Sequence, residues 1–129
     1  MSNLEITKEI TLDFDQAVTK VTEALKEQGF GILSDLDFDK ILKTKLNVDM
    51  ERYKVLGACN PPLANKALGV DRRLGALLPC NVYIRDLGDG KVKVAAINPD
   101  KMFEVVDTAG LEDIVKEARE RLEKAINSL

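Results

Sequence analysis

The sequence predicts an α+β domain in two layers, a mainly antiparallel sheet with helices packed on one face. Three observations carry that prediction. The clearest turn, Gly88-Asp89-Gly90, joins two alternating segments as an antiparallel hairpin. The strand-like segments are amphipathic or mixed, whereas strands buried on both faces of a parallel sheet read as continuous apolar runs. Two longer segments carry apolar residues at three- and four-residue steps, the stripe a helix lays on a sheet. Strands and helices alternate along much of the chain, which by itself suggests a parallel sheet. The hairpin and the mixed strands outweigh it.

Leu4 to Leu12 alternates, with Leu4, Ile6, Ile10 and Leu12 on one parity, and reads as the first strand. Asp13 or Asp15 caps a helix striped by Phe14, Ala17, Val18, Val21, Ala24 and Leu25 and ended by Gly29. Phe30 to Leu36 is the second strand, and Gly31 marks a bulge or a close backbone approach. Asp37 or Asp39 caps a short helix over residues 40–46, ended by Asn47, and Tyr53 to Cys59 is the third strand. Pro61 and Pro62 suit the first turn of a helix over residues 63–68, with Asn60 as its N-cap and Gly69 as its stop. Asp71, Arg72 and Arg73 make a polar loop.

The hairpin has two possible registers. A two-residue Asp89-Gly90 turn pairs residue 84 with 95 and puts Lys93 among apolar residues. A three-residue loop with Gly90 left-handed pairs 84 with 94 and 82 with 96. It gathers Val82, Ile84, Val92, Val94 and Ala96 on one face, and burial favours it. Pro99 ends the strand, and residues 101–106 read as a turn or short extended piece. Asp107 or Thr108 caps the last helix, striped by Leu111, Ile114, Val115, Ala118, Leu122, Ala125 and Ile126.

The 129 residues suit one domain, with no linker or second unit in view, and a chain of this length folds without a disulfide or metal. Net charge is −3 and tryptophan is absent, so neither a phosphate-binding surface nor a base-stacking platform is expected. No nucleic-acid partner is expected. The chain has no signal-peptide pattern and no apolar run near membrane length. The expectation is a cytoplasmic protein without a membrane partner, its two cysteines thiols rather than a bridge.

The strongest exclusion is that histidine is absent. Ser-His-Asp and Cys-His catalysis are impossible within one chain, and the commonest metal ligand is missing. There is no P-loop and no dinucleotide fingerprint. No cofactor is expected.

What remains is a paired motif: Cys59-Asn60-Pro61-Pro62 and Pro79-Cys80-Asn81. Antiparallel third and fourth strands would bring both thiols to one end of the sheet; a parallel crossover would separate them. The candidate site is Cys59, Asn60, Pro61, Cys80 and Asn81, with Arg72 and Arg73 adding charge. Helix N–H groups after Asn60 would stabilise a thiolate there. The structural alternative is equally simple: buried cysteine behaves as a small hydrophobe, and Pro and Asn bend and cap chains. Asp35, Asp37 and Asp39 alternate and would either share a hard cation or start a helix.

The stretches Tyr53-Lys54-Val55-Leu56-Gly57-Ala58-Cys59-Asn60-Pro61-Pro62-Leu63-Ala64 and Leu77-Leu78-Pro79-Cys80-Asn81-Val82 resemble domain-of-unknown-function family 302. The opening strand-helix unit and the later Gly-Lys-Val-Lys-Val and Asn-Pro stretch resemble it too. The resemblance implies a small prokaryotic protein with a curved antiparallel sheet, comparable to half of the TATA-binding protein, and a homodimer. It implies no activity. The function expected is therefore a homodimeric ligand-binding or interaction module, its partner a small molecule or protein, at the two Cys-Asn motifs. The alternatives are a thiol redox or thiol-transfer enzyme using Cys59 or Cys80, or a soft-metal thiolate site.

Overall fold

A computed structural model describes residues 4–106 and 109–129. Five antiparallel strands form one sheet in the order β1-β5-β4-β3-β2. They are β1 (Glu5–Thr11), β2 (Gly31–Asp37), β3 (Tyr53–Cys59), β4 (Cys80–Gly88) and β5 (Lys91–Ile97). The helices are α1 (Phe14–Glu27), α2 (Phe38–Leu46), α3 (Pro61–Val70), α4 (Pro99–Met102) and α5 (Glu112–Asn127). Register puts Ile6, Val82, Ile84, Val94 and Leu56 on one face of the sheet, and α1 and α5 cover that face. A second, smaller apolar cluster of Ala67, Leu74, Phe103 and Leu111 forms beyond the sheet end, where α3, α4 and the start of α5 gather.

Local chemistry explains the element ends. Asp13 caps α1 by accepting from the Gln16 N–H at 3.3 Å. Asn47 ends α2 in the left-handed region, at φ 56°. The hairpin has the buried register, Ile84 opposite Val94 and Val82 opposite Ala96. It reaches it by a different device from the expected three-residue loop. Asp89 and Gly90, both at positive φ, form a two-residue turn, and a bulge between Asp86 and Gly88 absorbs the extra residue.

Other expectations shift. The bulge in β2 lies between Ile32 and Ser34, not at Gly31. The close approach belongs to Gly57, where a Cβ would sit 2.9 Å from Pro79 Cγ and collide with Ser34 Oγ. Helix α3 runs through Gly69 to Val70, because the Asp71 N–H still reaches the Ala67 carbonyl at 3.0 Å. Arg72–Leu77 is a 3-10 turn rather than an open loop, capped by Asp71. Residues 99–105 are helical, since Pro99 suits a first turn and Asn98 caps it. The expected caps Asp107 and Thr108 lie outside the described residues.

Candidate functional site

Strands β3 and β4 are antiparallel, with Ala58 opposite Cys80. Cys59 follows Ala58, so both thiols reach the same sheet end. They line one cavity of about 30 Å3, together with Asn60, Pro79 and apolar walls that include Phe30, Leu63, Ala67 and Phe103. The cavity sits where the main core meets the second cluster. Its volume holds one or two water- or methyl-sized groups.

Asn60 is buried, and both ends of its side-chain amide are hydrogen-bonded. Oδ1 accepts from the Leu63 N–H at 3.2 Å, and Nδ2 donates to the Gln28 carbonyl at 3.4 Å. Arg121 donates to the same carbonyl at 3.2 Å, so the start of α3 and the face of α5 meet at the α1–β2 turn. The N–H groups expected to stabilise a thiolate are spent. Pro61 and Pro62 have none, Leu63 donates to Asn60, and the Ala64 N–H bonds the Asn60 carbonyl at 2.9 Å.

The thiols differ. Cys59 is half-buried and Cys80 buried, and neither is bridged. Burial, and then the neighbouring Cys59, push the Cys80 thiol up to about 11. Cys80 is therefore a neutral thiol at physiological pH. In a Cys59→Ser chain, where the burial remains and the Cys59 contribution is gone, we expect Cys80 alkylation at pH 8.5 to run at least about 10-fold slower in the folded than in the unfolded protein, from the lost thiolate alone. Equal rates, read by mass spectrometry, would show an accessible, ionisable Cys80 instead.

The other candidates do not converge on this cavity. Asn81 lies on the opposite face of β4, because side chains alternate and Cys80 points inward. Pro61 is exposed at the outer side of α3. Arg72 is exposed on the 3-10 turn, and Arg73 is held by Asp71 at 2.7 Å. Asp35 and Asp37 hold the Lys54 ammonium, at 2.6 and 3.2 Å, in place of a metal cation. Asp39 instead accepts from the Tyr53 N–H at 3.1 Å. Among the described residues no group of three or more Cys, Asp or Glu is placed to hold a metal ion.

The sheet face away from α1 and α5 carries a network that sequence reasoning only grazed. Tyr53 and Tyr83 stack with ring centres 5.3 Å apart. The Tyr83 hydroxyl donates to Glu5 at 2.8 Å and the Lys93 ammonium donates at 3.0 Å. Burial pushes the Glu5 carboxyl up, but these two hydrogen bonds outweigh it and hold it below the usual range. Both Glu5 oxygens are thus occupied within the chain, and the network reads as a polar cover for the sheet. Alternation could have revealed it: Glu5, Lys93 and Tyr83 share the parity opposite the core.

Among the described residues no helix is long and apolar enough to cross a membrane. Residues 6–129 match the family model described as domain of unknown function DUF302. The fold is similar to the crystal structure of an uncharacterized conserved protein DUF302 from Bacillus stearothermophilus. That likeness has a TM-score of 0.89 at 22% identity and covers 98% of each chain. None of the curated proteins matches.

Proposed function

From the premise that this chain belongs to the DUF302 family, whose function is unknown, we propose that it is a homodimeric ligand-binding module with its site at the Cys59–Cys80 cavity. The observation that carries this reading is one cavity lined by Cys59, Asn60, Pro79 and Cys80 at the junction of two apolar clusters. Its lining sets the ligand chemistry. The side-chain amide of Asn60 is already bonded, the first α3 N–H groups are spent, and Cys80 is neutral. The lining carries no charged side chain, so an anion finds no cationic partner there and a hard cation finds no carboxylate. The fitting ligand is neutral and apolar at the end that enters, such as a short alkyl group. A longer insertion requires α3 to move, and only Leu63 and Ala67 of that helix are buried.

The thiol redox or transfer alternative needs a thiolate. Burial of Cys80 and the spent N–H groups near Cys59 both work against it. The module works in the cytoplasm and needs no cofactor, nucleic acid or membrane.

The reading is tested by amide NMR of the full chain under xenon pressure. Shifts should concentrate at Phe30, Ala58, Cys59, Leu63 and Cys80, and an Ala64→Leu variant that fills the cavity should lose them. Xenon shifts elsewhere, or shifts unchanged by Ala64→Leu, would remove the cavity as the site.

A further inference from the structure

We infer that the ligand is an unbranched alkyl chain with an uncharged, hydrogen-bond-donating head, and that it spans two compartments. Its end enters the cysteine cavity and its body lies in the groove on the other side of Phe103. This placement rests on the reading of the cavity as the ligand site, and adds the rest of that site and the chemistry of the head.

Size requires a second compartment. A cavity of about 30 Å3 is far below the roughly 300–1,000 Å3 of small-molecule sites, so by itself it takes only the tip of a ligand. The neighbouring groove has a volume of about 340 Å3, and Phe103 lines both spaces. The Phe103 ring is 8% exposed and belongs to the second apolar cluster, with Leu111. It sits in the short turn that follows α4, outside the sheet. Helix α5 also runs past both spaces. Leu111, just before its first turn, and Val115 line the groove, and Ala118 lines the cavity. Steps of four and then three residues put them in one stripe along the helix. A chain following that stripe from groove to cavity stays against apolar side chains. Displacing the Phe103 ring joins the two spaces and leaves α3 and the strands in place.

The groove wall selects the head. Asp100, Glu104 and Glu112 line it, and each is bonded within the chain. Arg119 donates to Asp100 at 2.7 Å, Lys101 to Glu104 at 3.1 Å, and the Gly110 N–H to Glu112 at 3.2 Å. An anionic head meets three carboxylates and has to take Arg119 or Lys101 from its partner. A cationic head finds only Glu112 without a cation, at an exposed position where an ion pair is worth little. A hydroxyl or amide head donates to a spare carboxylate lone pair and breaks neither ion pair.

Amide NMR titration of the full chain at pH 7 tests this, with primary alcohols from 1-butanol to 1-octanol as probes. Affinity should rise about fourfold for each added methylene through 1-octanol, because the groove goes on burying them. Shifts should appear together at Cys59 and Cys80 in the cavity and at Val106, Leu111 and Val115 in the groove. Val115→Trp and Val106→Trp, which fill the groove, should each weaken 1-octanol binding at least about 30-fold and leave the xenon shifts at Cys80 unchanged, with circular dichroism showing both variants folded. Octanoate should bind at least about 10-fold more weakly than 1-octanol. Affinity that stops rising at 1-butanol, or 1-octanol shifts confined to one compartment, would overturn the two-compartment ligand and leave the cavity to the xenon result. Octanoate or 1-octylamine binding more tightly than 1-octanol would overturn the uncharged head. Xenon that does not enter beside Cys80 would remove the cavity reading, and this placement with it.

Discussion

Phe30→Ala is expected to cost about 3–5 kcal/mol of unfolding free energy, the range for removing a fully buried aromatic side chain. Phe30 is 2% exposed, belongs to the main core and also walls the cysteine cavity. Truncation removes its packing against the sheet and merges the vacated space with the cavity. The surrounding α1, α5 and sheet residues are buried and closely packed, so they collapse into that space only in part. Denaturant titration should show a lower midpoint with an unchanged slope. The enlarged cavity should bind xenon or benzene and recover part of the loss through that binding. Phe30→Leu should cost less than half as much. A loss below about 1 kcal/mol for the alanine variant would mean that the site collapses freely, and the cavity would then not be a rigid feature of the fold.

Gly29→Ala should cost about 2–3 kcal/mol, through two separate effects. Gly29 lies at φ +85°, a conformation that a side chain strains. A Cβ there would also sit 2.9 Å from Asn60 Nδ2, displacing the amide that bonds Gln28 and starts α3. The two effects separate in a double-mutant cycle. Asn60→Ser keeps a capping oxygen but shortens the side chain, so Gly29→Ala should cost less in that background than in wild type. The strain from φ remains in both. Costs that add within about 0.3 kcal/mol would show that backbone strain alone accounts for the loss, and that Asn60 does not feel the new methyl group.

How far the sequence reads depends on the range of the interaction. Asn60 as N-cap, Asn47 as the end of α2 and Tyr53–Cys59 as a strand were legible, because each follows from one residue's own chemistry or from a period of two. The hairpin register was legible too, since slipping it would bury Lys93 among valines and isoleucines. The device that produces the register was not. A two-residue turn with a bulge at Leu87 and a three-residue loop bury the same side chains, and only backbone geometry separates them. Gly69 misled for a related reason: glycine permits a helix to stop but does not compel it, and the Asp71–Ala67 hydrogen bond carries α3 on through Val70.

The candidate site divides along the same line. The sequence by itself determined which chemistries are absent, through a chain without histidine. It led to the expectation that Cys59 and Cys80 share one sheet end, and the antiparallel pairing of β3 and β4 decided it. Only the tertiary structure decided that Cys80 is buried and neutral, that Asn81 faces away, and that Lys54 occupies the place between Asp35 and Asp37. It also decided that the cavity holds about 30 Å3 and that α2 is left without a buried side. Burial, the supply of unspent N–H groups and the volume left between side chains are properties of elements distant in sequence packed together. They are set by close contacts that no local pattern encodes.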